Sequence, residues 1–435
     1  MILTLRFVSA LVAGAMLIGF SGRFAPLAPA GVALISLATA LAALDWRRLA
    51  RVRLEVSRSC DEKLSLGAGN VVRISIRNPG HARVVGMLRD EYPEGFDCDG
   101  NEMPLDLPPR SEHEVMYYVT PPRRGDFEFG EIYVRIDGRL GLVTRQIRYP
   151  AKRAVKVFPN LLDIRRYEIG LRRERPLQPG QRVTRVRGRG TDFESLRDYV
   201  PDDEFRALDW KATARRGKLT TRQYQQEKSQ NVVIVLDSGR VMGPIVAGLT
   251  RLDHAINAAV MLGHVAAQKG DKVGLMAFAE DVLSYSPPRA GKSQVLNLLR
   301  LTYNLKEASG DSNYARAVPF LARKWTRRSL VLFFTDLIDP DSSKPLITQI
   351  AGLAKKHLCV VVAMSDPAVL DAARGPFESP DDAFRAAAAR QVLHARKQAA
   401  AQLARLGAIV LDLPPDHFTP SVVNEYLNLK SRGLL

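Results

Sequence analysis

The stretch Arg187–Met242 reads RGRGTDFESLRDYVPDDEFRALDWKATARRGKLTTRQYQQEKSQNVVIVLDSGRVM. Its first part is dense in both signs of charge, with Phe193, Tyr199, Phe205, Trp210 and Tyr224 set among arginines and aspartates. It then switches abruptly to Val232-Val233-Ile234-Val235-Leu236, a run of buried-strand character ending at Asp237. Exposed linkers are poor in aromatics. The charged part is therefore expected to be ordered and salt-bridged, packed on the mouth of the domain that follows, with Trp210 buried.

Downstream, strand and helix patterns alternate. Strands are expected at Val232–Leu236, Lys272–Phe278, Leu330–Phe334, Leu358–Ala363 and Ala408–Leu413. Amphipathic helices are expected near Leu249–Gln268, Ser293–Tyr303, Tyr314–Lys324, Pro345–Lys356 and Asp381–Leu406, with Ser421–Lys430 as a last helix and Val282–Tyr285 as a short antiparallel edge strand. This alternation predicts an α/β doubly wound sheet over residues 230–435.

Upstream the pattern changes twice. Phe7–Phe20 and Leu27–Leu44 are apolar runs separated only by the turn Ser21–Pro26, which predicts a transmembrane helical hairpin over residues 1–46. Arg47, Arg48, Arg51 and Arg53 follow the second run, against Arg23 alone in the turn. The positive-inside rule then places both termini and the bulk of the chain in the cytoplasm, at the inner membrane of the cell. The competing reading is a signal peptide cleaved at Ala28-Pro29-Ala30. Over residues 54–159 the alternating runs Val71–Arg77, Val115–Val119, Phe127–Ile136 and Val155–Val157, with Gly/Pro turns, predict an all-β sandwich. Residues 160–229 form the charged aromatic segment. Its basic start, Leu161–Arg189, either pairs with the acids between Asp192 and Asp209 or contacts anionic lipid headgroups. Nucleic acid is the less favoured partner, because no groove-reading or base-stacking module is recognisable.

The chain of 435 residues has room for two or three domains. Its 63 basic and 46 acidic side chains leave a net charge of +17, which points to an anionic neighbour. Cys60, Cys98 and Cys359 are odd in number and lack metal-ligand spacing, so they indicate neither a disulfide framework nor a zinc site.

The run Tyr199, Pro201, Asp203, Arg206, Asp209, Trp210, Lys211, Thr213, Ala214, Arg215, continued by Leu219, Arg222, Tyr224 and Glu227, resembles the hallmark of the domain-of-unknown-function 58 family. Asp202 departs from it, standing where that family usually has Gly. The resemblance implies a membrane-associated protein whose run precedes a von Willebrand A-like domain. It also implies partnership with a MoxR-type AAA+ ATPase in assembly or maturation of other complexes. On this reading Tyr199, Asp203, Arg206, Asp209, Trp210, Lys211 and Arg215 are the interaction residues.

In a doubly wound sheet, ligands bind at the carboxyl ends of strands. Asp237, Thr335-Asp336 and Ser365-Asp366 stand at three such ends, an oxygen-ligand set suited to Mg²⁺. The set resembles the metal-ion-dependent adhesion site of von Willebrand A domains, with Asp237, Ser312 and Asp336 as metal residues. It is degenerate, because Gly239 and Val241 stand where that motif's two serines belong. Weak Mg²⁺ binding is one expectation. The other is a metal-free rim in which Asp237 and Asp336 pair with arginines such as Arg240 or Arg215.

Enzyme signatures are incomplete. A haloacid-dehalogenase-like phosphatase needs a second Asp where Gly239 stands. Gly243–Thr250 has P-loop glycine spacing, but Leu249 replaces the Lys. No G-x-S-x-G or HExxH motif occurs, and His254 and His264 read as helix residues rather than ligands. The sequence therefore favours a non-catalytic interaction or scaffold protein. A metal-dependent hydrolase of an anionic substrate at the Asp237/Asp336 rim is the alternative, and a membrane-tethered nucleic-acid binder the third reading.

Overall fold

A computed structural model of the chain describes residues 2–22, 24, 26–160, 192–200, 208–225, 229–337, 343–375 and 379–434. Asp203, Arg206 and the basic run of residues 161–189 lie outside the described residues. The chain forms two compact units, Met1–Leu162 and Asp163–Leu435.

In the first unit the two apolar runs form helices Leu5–Gly19 and Leu27–Ala50, joined through a 3₁₀ turn at Phe20–Gly22. Both spans, Leu5–Gly22 and Leu27–Ala50, are long and apolar enough to cross a membrane. Glycine lets their backbones approach, since a Cβ on Gly31 would lie 2.6 Å from the Gly14 carbonyl oxygen. The hairpin is tied to the sheets that follow it. Ile2–Leu3 pairs antiparallel with Val143–Tyr149. Thr4 donates its hydroxyl to Gly141 O at 2.7 Å. Arg145 donates Nη1 to the carbonyls of Leu49 at 2.6 Å and Ala50 at 3.1 Å, groups that a helix end leaves without an intrahelical partner.

The sheet-rich region follows from period-2 patterning. In Asn70–Asn78, Val72, Ile74 and Ile76 are buried while Arg73 and Arg77 face out. That strand belongs to a four-stranded antiparallel sheet with Glu55–Cys60, Ser111–Thr120 and Asp97–Cys98. A five-stranded sheet combines Ile2–Leu3, Val143–Tyr149, Ile132–Asp137, Val84–Asp90 and Glu102–Leu107. A buried network links the two sheets. Arg58 Nε donates to Asp90 Oδ2 at 2.9 Å, and Tyr117 donates to the same oxygen at 2.6 Å. Burial, then the Asp90 charge, pushes the Tyr117 phenol far above its usual range, so it stays a donor. The run Phe127–Ile136, expected as one strand, is two. Gly125–Phe129 joins a small third sheet and Ile132–Asp137 the five-stranded one. The chain changes sheets at Gly130, where a Cβ would lie 2.2 Å from Glu91 Oε2.

The second unit holds the doubly wound sheet. Its spatial order is Val282–Arg289, Lys272–Phe278, Asn231–Asp237, Leu330–Phe334, Leu358–Met364 and Ile409–Leu413. All neighbours are parallel except the antiparallel edge strand Val282–Arg289. Strand Asn231–Asp237 buries both faces. Val232, Ile234 and Leu236 join one core cluster, which includes helix Arg251–Gln268. Val233 and Val235 join the other, which includes helix Tyr314–Lys324. From Asn231–Asp237 the chain winds first to one side and then, with Leu330–Phe334, to the other. The order therefore reverses between the strands that end at Asp237 and before Asp336, the place where such sheets open a crevice.

Candidate functional site

At this reversal Asp237 is 1% exposed and receives donors on both oxygens. Oδ1 accepts from Gly239 N at 2.8 Å and from the Ser312 hydroxyl. Oδ2 accepts from Tyr314 Oη at 2.6 Å and Thr335 Oγ1 at 2.7 Å. A carboxylate has about four lone-pair sites, and these donors fill them. Burial, then the Asp237 charge, raises the Tyr314 phenol well above its ordinary value, which keeps its proton on the hydrogen bond. Gly239 makes the cage possible, because a Cβ there would lie 2.0 Å from Ser312 Oγ.

Asp336 is held differently. Its Oδ1 accepts from Arg396 Nη1 at 2.7 Å and from Leu337 N at 2.9 Å, and its Oδ2 accepts from Arg251 Nη1. Arg396 also donates to Leu337 O at 2.6 Å, Met364 O at 2.9 Å and Asp412 Oδ1 at 3.0 Å. Burial lowers the Arg396 pKa, but the Asp336 and Asp412 charges outweigh it and hold the group above its ordinary value. Arg251 Nη2 lies 3.9 Å from Asp366 Oδ2.

Asp237, Ser312 and Asp336 are thus brought to one rim, but with other partners than the sequence suggested. Asp237 is bound by hydroxyls and a backbone N–H rather than by an arginine. Arg240 pairs with Asp311 at 2.9 Å instead. The arginines on Asp336 come from the starts and middles of remote helices, Arg251–Gln268 and Pro380–Arg405. Sequence reasoning missed both. Arg396 did leave a signal, since it stands in helical register with the buried Ala389, Ala399 and Leu403. The donor set does not fit the Mg²⁺ that the adhesion-site resemblance implies. Asp237 has no free lone pair, and both Asp336 oxygens face guanidinium.

The P-loop-like stretch is a small hairpin, Ile245–Val246 against Leu249–Thr250. Its turn places Ala247 at φ 50° and Gly248 at φ 83°, both left-handed. His254 contacts Val246 O at 2.9 Å, a packed helix residue as expected.

The described part of the charged aromatic segment is a two-stranded hairpin with a short helix. Asp192–Asp198 pairs antiparallel with Thr220–Gln225, and Tyr199 N donates to Leu219 O at 2.9 Å. Between them runs the short helix Trp210–Arg216. Asp209 caps it, its Oδ1 accepting from Lys211 N and Ala212 N, each at 3.0 Å. Gly217, at φ 67°, ends it in the left-handed region. The expectation that Trp210 is buried is wrong. It is 65% exposed, with Lys211 and Arg215 exposed beside it. Trp210 is the first residue of the helix, directly after the Asp209 cap.

Residues 195–375 match the model of the family described as "Protein of unknown function DUF58". An uncharacterised protein of Mycobacterium tuberculosis, Rv1480, is 23% identical over 272 residues, covering 59% of this chain and 84% of its own. The uncharacterised protein YeaD of Bacillus subtilis is 26% identical over 197 residues, covering 42% of this chain and 47% of its own. Among solved structures, the conserved hypothetical protein BatB from Bacteroides thetaiotaomicron covers 47% of this chain and 100% of its own at 16% identity. Its TM-score is 0.32.

Proposed function

We propose that the chain is a membrane-anchored, non-catalytic interaction protein that works as an adaptor for a MoxR-type AAA+ ATPase in assembly or maturation of other complexes. The helical hairpin is the anchor, the bulk of the chain is cytoplasmic at the inner membrane, and the doubly wound domain is of the von Willebrand A-like kind. The observation that carries the reading is the exposed Trp210. An aromatic beside Lys211 and Arg215, with Val200 and Leu219 also exposed, has the composition of an interface anchor. The closed rim supports it from the other side. A nucleophile or general base needs a free lone pair, and Asp237 has none to offer a substrate. The two carboxylates named for the hydrolase alternative, Asp237 and Asp336, are both engaged by other donors.

Two experiments test the reading. A photo-reactive Trp210→p-benzoylphenylalanine variant of the full chain, irradiated in membranes with a MoxR-type ATPase from the same source, is expected to cross-link to that ATPase. Irradiated adducts that contain only lipid would remove the adaptor reading. Alkaline phosphatase fused after Leu435 is expected to be inactive in a Gram-negative host, because Arg47, Arg48, Arg51 and Arg53 hold that side in the cytoplasm. Strong activity there reverses the orientation.

A further inference from the structure

We propose that Arg251 is a built-in cation, fixed by the fold in the charge-balancing role that a divalent metal has in an adhesion-type rim, so that the rim of this domain is indifferent to divalent cations.

Four observations lead to it. The space that the motif's first serine would take is already used, since Gly239 lets Ser312 reach Asp237 and a Cβ there would collide with that hydroxyl. The Asp237 lone pairs are filled by neutral donors, which leaves nothing for a metal to bind. The negative charge of the rim is met by guanidinium instead. Three carboxylates, Asp336, Asp366 and Asp412, face the two guanidinium groups of Arg251 and Arg396. Finally, Arg251 is held where a cation would not otherwise be placed. It is the first residue of helix Arg251–Gln268, capped by Thr250, and its N–H is bound to Pro244 O at 3.0 Å. A positive side chain at a helix N-terminus opposes the macrodipole. The position is favourable only because Asp336 and Asp366 lie in front of it.

Among the described residues, three carboxylates against two guanidinium groups leave the cluster one negative charge. Replacing Arg251 by a neutral residue leaves two, with Asp336 and Asp366 open to solvent cations. The structure therefore predicts an induced metal dependence, a property that a rim with a merely decayed metal site would not gain. This inference does not rest on the partner reading, and a failed cross-link at Trp210 would leave it untouched.

The test uses the full chain in detergent micelles, with thermal melts in EDTA and in millimolar Mg²⁺, and Mn²⁺ as a paramagnetic probe. The wild-type chain is expected to melt at the same temperature in both and to leave the Mn²⁺ signal that of free ion. Arg251→Gln is expected to melt several degrees lower in EDTA and to recover in Mg²⁺, since a ligand bound only by the folded state stabilises it. It should also take up Mn²⁺, and lose that uptake when Asp336→Asn is added. Arg251→Lys keeps the charge and is expected to remain indifferent to Mg²⁺. A wild-type midpoint that falls in EDTA, or wild-type Mn²⁺ uptake abolished by Asp336→Asn, overturns the proposal without any Arg251 variant having to fold. A folded Arg251→Gln chain that melts alike in EDTA and Mg²⁺ overturns it as well.

Discussion

Trp210 and Arg251 hold the same place in their helices, the first position after a capping side chain, Asp209 in one case and Thr250 in the other. Their surroundings are opposite. The Arg251 side chain is 14% exposed and spends its charge on Asp336 and Asp366. Trp210 is 65% exposed. At one helix start the charge is paired inside the fold, and at the other a large aromatic side chain lies open to solvent. The carboxylates at the strand ends attract a functional reading first, because that is where doubly wound sheets bind ligands. Asp237 and Asp336 have donors on both oxygens, which ties the strand ends together, whereas Trp210 is among the exposed large side chains of the described residues.

The contrast is breakable at the rim first. Asp336→Ala leaves Arg251 and Arg396 without their shared carboxylate, and removing one partner of a buried pair costs about 3–5 kcal/mol. Denaturant melts of the full chain should show that loss, and a near-neutral result would mean the rim is not closed. Tyr314→Phe removes a buried donor to a charged oxygen and is expected to cost about 1.5–3 kcal/mol in the same assay. Gly239→Ser writes back one serine of the metal motif. Because its Cβ would collide with Ser312 Oγ, it is expected to destabilise by about 1–3 kcal/mol, as overpacking does, rather than to create a Mg²⁺ site. A Gly239→Ser chain stabilised by Mg²⁺ would blunt the contrast. The smallest effect belongs to the other surface. Trp210→Ala should change stability by no more than about 0.5 kcal/mol, the range for exposed positions, whereas a large loss would restore the buried reading.

The sheet of the second unit was legible in the sequence because its strands bury both faces. Runs such as Val232–Leu236 and Leu330–Phe334 carry few other readings, and the observed strands Asn231–Asp237 and Leu330–Phe334 differ from the expected ones by a residue at most. The apolar hairpin was legible for a different reason, since each run is apolar over a length that crosses a membrane. The hairpin at Ala247–Gly248 was not, since Ala-Gly lacks the Asn-Gly or Asp-Gly signal of a turn with two left-handed residues. Asp237 and Asp336 could be placed on one rim from the strand pattern alone, and Ser312 through the resemblance to the adhesion site. Their partners could not, because Arg251 and Arg396 reach Asp336 from helices 85 and 60 residues away. Trp210 misled for a more general reason. Aromatics are usually buried, and an exposed one directly after the Asp209 cap looks in sequence like any other Asp-Trp pair.

The central claim is that the binding capacity of this chain lies at Trp210 and not at the carboxylate rim. It is tested most directly by a binding isotherm of a MoxR-type ATPase on the full chain in nanodiscs, wild type beside Trp210→Ala, with circular dichroism confirming that both are folded. The account predicts saturable binding to the wild type and its loss in Trp210→Ala at unchanged stability. Equal binding by both chains would contradict it.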